Sequence, residues 1–428
     1  MAGGKGTRIS SVASDIPKPM IKIAGKPVLE HEIECLRRQG ITDIILTVGY
    51  LGHVIEDYFG DGSKQSPATG LPFEVHIEYY CEKEALGNAG ALFRIKEKLI
   101  DDFLLLNGDV MFDVDLKRFI SFHKKHDGLA TLFTHPNNHP YDSGLLVTDT
   151  HDSVIRWYTK EEKRPEFYQN RVNAGIHIIS PKLLQQDISE KKIDLDRHIL
   201  KPLAGKGKLF CYDSPEYVKD MGTPERYYAI CRDYSKGRIQ QKNLANRQKA
   251  IFLDRDGTIN KYVGFLRNIE EFELLNGVAE AVRNINASGY LAIVTTNQPV
   301  VARGEVTFQE LKEIHNKMET LLGKEGAYLD DIYVCPHHPH RGFPGEIPEL
   351  KMVCQCRKPA PGMLWQAAND YNIDLEHSWV IGDRKTDVIC GKKAGCMTAL
   401  IGNEDYGQDM TVSSLLEFAD HALNEEMI

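Results

Sequence analysis

Short, mostly apolar runs recur along the chain, and most of them stop at a polar or acidic residue. Ile44 to Val48, Leu104 to Leu106, Ala250 to Leu253 and Leu291 to Val294 are of this kind, and Ser378 to Asp383 ends a fifth. A run that is apolar at every position predicts a strand covered on both faces, as in a parallel sheet. Between the strands the period lengthens: Glu30 to Gln39 predicts an amphipathic helix that Gly40 ends. The alternation predicts an α/β chain of layered domains. Open sheets of this class gather their chemistry where strands end. The residues at those places are Asp109, Asp254 with Asp256, Thr296 with Asn297, and Asp383.

The pattern is interrupted at 235–248, SKGRIQQKNLANRQ, a polar stretch with several basic residues. We read it as a linker or short helix between domains at 1–234 and 249–428. A length of 428 residues fits two cores. The halves share no motif, which favours fusion over duplication.

Composition narrows the class. With 42% hydrophobic and 26% charged residues the chain reads as a soluble globular protein. A net charge of −9 argues against a nucleic-acid partner but allows a local basic pocket for phosphates. No apolar run spans a bilayer and no signal peptide opens the chain, so we expect no membrane partner and a cytoplasmic location. Nine cysteines fit reduced thiols and metal ligands better than a disulfide framework.

The segment AIFLDRDGTIN, Ala250 to Asn260, concentrates the chemistry. Two carboxylates beside bound phosphate need a cation between them, usually magnesium. Asp254 could then attack phosphorus, while Asp256 protonates the leaving oxygen and later activates water. DRDGT resembles the first motif of the haloacid dehalogenase phosphatase superfamily, and further motifs follow in order. The resemblance implies that Thr296 and Asn297 hold phosphoryl oxygens and that Arg357 and Lys358 of CRKPAPGM supply positive charge. It also implies that Asp254, Asp256 and Asp383 hold Mg2+, with Asp387 nearby. Only a loop and a helix fit between Gly257 and Thr296, so no large cap is expected.

Cys335 and His337, then Cys354 and Cys356, each stand two apart, which puts each pair on one side of an extended chain. Together they make a Cys₃His set suited to closed, structural zinc, with His338 and His340 as rival ligands. The intervening Pro- and Gly-rich loop has little core of its own, so a metal would order it. This loop beside CRKP resembles the branch of histidinol-phosphate and D-glycero-D-manno-heptose-1,7-bisphosphate 7-phosphatases.

The N-terminal half carries GGKGTR, then PKPM, then GKPVLEH. Gly3, Gly4 and Gly6 let backbone amides approach a phosphate chain, while Arg8 and Lys18 bring charge. This combination resembles the sugar-1-phosphate nucleotidyltransferases, over most of residues 1–230. The resemblance implies two Rossmann-like three-layer domains in all, this one glycosyltransferase-A-like. It implies that Gly87 and Asn88 lie against the nucleotide, that Asp109 and Asp220 hold Mg2+, and that Glu162, Lys163 and Asn173 contact the sugar phosphate. In the resembling fold a central strand precedes the glycine loop, whereas Met1 stands just before Ala2 here. Without that strand its two neighbours would present bare edges.

The expected substrates are a sugar phosphate and a nucleoside triphosphate, with a homo-oligomer left open. One half would make what the other consumes: a 7-phosphatase for heptose 1,7-bisphosphate joined to a transferase that couples the 1-phosphate to GTP. A histidinol-phosphate phosphatase fused to another transferase, or a phosphatase with a non-catalytic sugar-nucleotide module, are the alternatives.

Overall fold

The computed structural model describes residues 1, 16–185 and 192–424, so Gly3, Gly4, Gly6 and Arg8 lie outside the described residues. The chain divides into two compact units, neither of them contiguous. The first contains Met1–His135, Leu146–Trp157 and Asn173–Asn243; the second contains Pro136–Leu145, Tyr158–Val172 and Leu244–Ile428.

In the first unit α1 (Val28–Arg38) buries Val28, Leu29, Ile33 and Leu36, the helical spacing the sequence predicts. β1 (Asp43–Val48) and β2 (His76–Cys81) form a parallel pair. β3 (Phe103–Leu106) joins a six-stranded mixed sheet by pairing antiparallel with β5 (Val172–Ile179), whose chain crosses between the units at its first residue. β4 (Val110–Asp113) pairs antiparallel with β6 (Tyr217–Asp220), and Asp220 stands opposite Val110. On the other edge of β3, the Met1 amine donates to Leu106 O at 2.6 Å and Gly108 N donates to Met1 O at 2.9 Å. Among the described residues β1 and β3 belong to separate ladders, and Ile44, Ile45, Leu104 and Leu106 are only half-buried.

The second unit is built on one parallel sheet. β7 (Ala250–Leu253), β8 (Leu291–Asn297), β9 (Asp331–Cys335), β10 (Trp379–Gly382), β11 (Met397–Ile401) and β12 (Met410–Val412) stand in the order β9-β8-β7-β10-β11-β12. All four residues of β7 are fully buried, and they alternate between two cores. Ile251 and Leu253 pack with Val278, Val282 and Ile285 of α2 (Val278–Ser288); Ala250 and Phe252 pack with Met363, Leu364 and Ala367 of a helix on the other face, Gly362–Tyr371. That is why this strand reads as a continuous apolar run. The strand order reverses about β7, so the crevice at the carboxyl ends of β7, β8 and β10 is the place for a site. α3 (Phe308–Lys324) follows β8 and starts with a capping box, Thr307 and Glu310 each accepting from the other's backbone N–H.

Candidate active sites and metal centre

The crevice brings Asp254, Asp383 and Asp387 together, where the resemblance implied Asp254, Asp256 and Asp383. Leu253 stands opposite Val294 of β8 and Ile381 of β10. The residues just beyond, Asp254, Thr296 and Asp383, therefore emerge together. One oxygen each from Asp254, Asp383 and Asp387 lies within 4.8 Å of the others. Lys358 Nζ is buried among them, 2.7 Å from Asp254 Oδ1 and 2.6 Å from Asp387 Oδ1, and it donates to Thr295 O at 2.8 Å. Asn297 fixes this lysine's backbone: Lys358 N donates to Asn297 Oδ1 at 3.0 Å, and Asn297 Nδ2 donates to Lys358 O at 3.1 Å.

Burial raises Asp254 to about 7 against the attraction of Lys358, and Asp387 and Asp256 push the same way as burial. Burial and Asp387 also raise Asp383. For Lys358 burial opposes charge, but Asp254 and Asp387 outweigh it and hold the lysine above its ordinary value. Asp383 Oδ1 is buried without a hydrogen-bond partner. Three crowded carboxylates, two of them raised and one with an oxygen that accepts no hydrogen bond and has only Arg384 Nε at 3.8 Å, are a donor set that fits a hard divalent cation.

The Asp256 carboxylate turns to other partners. Arg255 Nη2 donates to its two oxygens at 2.9 and 2.8 Å, Gln298 Nε2 to Oδ2 at 2.8 Å, and Asn260 Nδ2 to Oδ1 at 3.1 Å. Burial works to raise Asp256, yet Arg255 and these hydrogen bonds leave it below the ordinary carboxylate value. Arg255 is fully buried and is backed by His315 of α3, with Nη1 and Nε2 3.2 Å apart. Burial, then Arg255, lower His315 to about 3, which keeps it neutral beside the guanidinium. Gln298 also donates to Thr296 Oγ1 at 2.8 Å, tying the expected phosphate ligand to the expected acid–base residue. Arg255, Gln298 and His315 were not singled out from sequence. The first two sit inside motifs, whereas His315 has no local signal.

Arg357 faces the neighbouring loop, where Nη1 donates to His337 O at 3.1 Å. That loop brings Cys335, His337, Cys354 and Cys356 together. The sulfur–sulfur separations are 3.3, 3.3 and 3.6 Å, and His337 Nδ1 lies 3.2 Å from Cys356 Sγ and 3.6 Å from Cys335 Sγ. A tetrahedron with metal–sulfur bonds of about 2.3 Å has edges of about 3.8 Å, so the four donors nearly frame one. His338 is engaged elsewhere, its Nδ1 3.0 Å from His340 O.

In the first unit the β4–β6 register places Asp109 and Asp220 side by side, and Met221 N donates to Asp109 O at 3.0 Å. Asp109 carries an ion pair with Lys18, and Asp220 accepts from Arg226 Nη1 at 2.7 and 3.0 Å. Gly87 has φ +84°, and a Cβ there would lie 2.3 Å from Ile193 O. That close approach lets Asn88 Oδ1 accept from Leu195 N at 2.8 Å. Asn173 Oδ1 accepts from Gly175 N at 3.1 Å and lies 3.0 Å from His177 Nε2. Glu162 and Lys163 belong to the second unit, where Glu162 Oε2 accepts from Thr159 N at 2.8 Å and Lys163 is exposed.

Comparison with known proteins finds relatives for both halves of the chain. The nucleotidyl transferase family model matches residues 1–237, and a HAD-hydrolase-like model matches residues 355–420. The D-glycero-beta-D-manno-heptose-1,7-bisphosphate 7-phosphatase of Yersinia pestis is 40% identical over 152 residues, 36% of this chain and 79% of that protein. Its counterpart in Escherichia coli K12 is 39% identical over 158 residues, 37% of this chain and 81% of that protein. A probable mannose-1-phosphate guanylyltransferase of Oryza sativa is 30% identical over 251 residues, 58% of this chain and 66% of that protein. The chain is thus a phosphatase and a nucleotidyltransferase in one, belonging to the nucleotidyl transferase family through residues 1–237 and to the family of the heptose-bisphosphate 7-phosphatases through its C-terminal half.

Proposed function

We propose that the protein is a bifunctional, cytoplasmic enzyme of nucleotide-activated heptose synthesis. It removes the 7-phosphate of D-glycero-D-manno-heptose 1,7-bisphosphate and couples the remaining 1-phosphate to GTP. The observation that carries this reading is the pairing itself, since the product of a 7-phosphatase is the kind of nucleophile a sugar-1-phosphate transferase uses.

In the phosphatase half an Asp254 oxygen attacks phosphorus and the bond to the sugar oxygen breaks, leaving an aspartyl-phosphate. Asp256 delivers a proton to that oxygen, then takes one from the water that hydrolyses the intermediate. The Arg255 fork favours the ionised form of Asp256, the one needed in the second step. Lys358 keeps positive charge beside Asp254 while phosphoryl charge moves. Magnesium held by Asp254, Asp383 and Asp387 would supply further charge there. Zinc on Cys335, His337, Cys354 and Cys356 would fix the loop, with every ligand position filled by protein.

In the transferase half Asp109 and Asp220 would hold the second magnesium, and Lys18 would steady the triphosphate. Glu162, Lys163 and Asn173 would contact the sugar phosphate. The test is product analysis with heptose 1,7-bisphosphate, GTP and magnesium. Inorganic phosphate from the 7-position, then pyrophosphate and GDP-heptose, are expected. Release of the 1-phosphate would overturn the reading.

A further inference from the structure

Arg303 stands just past the short helix Pro299–Ala302, which follows Thr296 and Asn297 at the end of β8. Its guanidinium lies over two rings at once, 4.1 Å from the centroid of Phe265 and 4.1 Å from that of Phe343. Each ring carries a second cation, Arg267 over Phe265 at 5.8 Å and Lys351 over Phe343 at 4.4 Å. Phe265 belongs to the loop after β7, and Phe343 to the loop that carries the Cys₃His cluster. One side chain therefore joins two loops.

The two loops are held in different ways. The Cys₃His loop docks through its backbone: Ile347 N donates to Ala302 O at 3.0 Å, and a Cβ on Gly304, at φ +68°, would collide with Gly345 O. The Glu346 carboxylate accepts from Gly342 N and Phe343 N at 2.9 and 3.0 Å, which fixes the turn bearing Phe343. The loop after β7 is held by side chains. Leu266 is buried in the core, Arg267 Nε donates to Glu305 Oε2 at 2.8 Å, and the Arg384 guanidinium lies 4.6 Å from the centroid of the Tyr262 ring. Tyr262, Val263 and Phe265 are exposed, and the Cβ position of Gly264 between them faces open space.

This loop borders the crevice. Arg384 follows β10, with its Nε 3.8 Å from Asp383 Oδ1, whereas Arg303 follows β8. β8 and β10 flank β7, so a loop that leaves β7 and meets both arginines reaches from one side of Asp254 to the other. Packing alone would not favour an arginine at 303. Its Nε is buried without a hydrogen-bond partner, and its Nη1 is 3.9 Å from Glu305 Oε1, while an apolar side chain would bury no unpaired donor. What the guanidinium adds is a flat charged plate that attracts an aromatic face from each loop.

We propose that Arg303 is a positioning residue for phosphate hydrolysis: by stacking on Phe265 and Phe343 together it fixes the loop 261–268 against the Cys₃His loop, so that Tyr262, Val263 and Phe265 form a standing wall where the sugar enters the crevice. Arg303 acts through these side chains and not on the reacting phosphate. Its effect falls on how well the substrate is held more than on the chemical step. The inference rests on the bisphosphate reading above, which supplies the sugar that the wall meets.

The test uses the full chain with D-glycero-D-manno-heptose 1,7-bisphosphate and magnesium, and reads phosphate release. Arg303→Met keeps the stem and removes the plate, so KM rises at least tenfold while kcat stays within threefold. Backbone amides of 261–268 exchange with solvent at least tenfold faster in this variant than in the parent. Phe265→Leu, which keeps apolar bulk without a ring face, gives the same two changes, and Phe265→Tyr recovers most of the loss. Should Arg303→Met not fold, the two Phe265 variants are judged by the same measurements. A KM within twofold of the parent, a loss confined to kcat, or a raised KM with exchange unchanged overturns the inference alone. Failure of the parent chain to release phosphate from the bisphosphate overturns the substrate reading and the inference with it.

Discussion

A Cβ on Gly257 would lie 2.3 Å from Oδ2 of Asp383, the carboxylate that ends β10. Gly257 has φ +91°, so the turn after β7 takes a left-handed conformation close against a carboxylate of the same crevice. Gly257→Ala would strain that turn and displace Asp383. We expect phosphate release to fall by about 100-fold, the cost of a misplacement near 1 Å. The required magnesium concentration should rise as well. Phosphate release titrated with magnesium checks this, and an unchanged titration would remove Asp383 from the metal site.

Lys358 sits between Asp254 and Asp387, 2.7 and 2.6 Å away. Lys358→Met removes the ammonium that bridges these two carboxylates, so Asp254, already raised to about 7, rises further. Less of the nucleophile is then ionised at neutral pH. Turnover should fall by several orders of magnitude, and what remains should climb with pH from 6 to 9. A pH–rate profile of phosphate release measures this; a profile parallel to that of the parent would refute the lysine's role.

The Cys₃His cluster fills four positions with protein donors. Cys354→Ser should therefore lower metal content and thermal stability, while dependence of phosphate release on magnesium persists. Elemental analysis of protein purified without chelators provides the check, and finding no zinc in the parent chain would end the zinc assignment.

How much of this was legible depended on how local the cause was. β7 announced itself because every residue is buried, and Asp254 and Asp256 followed from the strand's end. The Cys₃His cluster was legible for the same reason, since each ligand pair is two residues apart. Arg255 and Gln298 lay inside recognised motifs, but what they hold depends on where Asp256 turns. His315 had no sequence signal, because its partner stands 60 residues away. The glycine loop was legible as a motif, yet it lies outside the described residues.

Asp196 offers a test of stability instead of activity. Burial, with Asp194 close by, raises it to about 6, and Asn173 Nδ2 lies 3.5 Å from its Oδ1. The folded chain thus holds this proton more tightly than the unfolded chain does. The stabilisation is complete below the ordinary carboxylate value and is lost as pH rises through about 6. Asp196→Asn should flatten that slope and stabilise the protein at pH 7, by at most about 3 kcal/mol. Thermal melts at pH 4 to 7 decide it; a parallel pair of curves would show that Asp196 does not titrate in this range.

The order of the two reactions predicts an asymmetry between variants. The 7-phosphate must leave first for the sugar 1-phosphate to enter the transferase half in the form expected there. Supplied only with heptose 1,7-bisphosphate, GTP and magnesium, Asp254→Asn should therefore yield neither phosphate nor GDP-heptose. Asp109→Ala should release phosphate at the parent rate and stop, because Asp109 stands beside Asp220 in the other unit. Supplying heptose 1-phosphate should restore GDP-heptose to Asp254→Asn but not to Asp109→Ala. Each half would then be accounted for by one carboxylate. GDP-heptose made from the bisphosphate by Asp254→Asn would mean that the transferase accepts the 7-phosphorylated sugar, and the proposed sequence of reactions would fail.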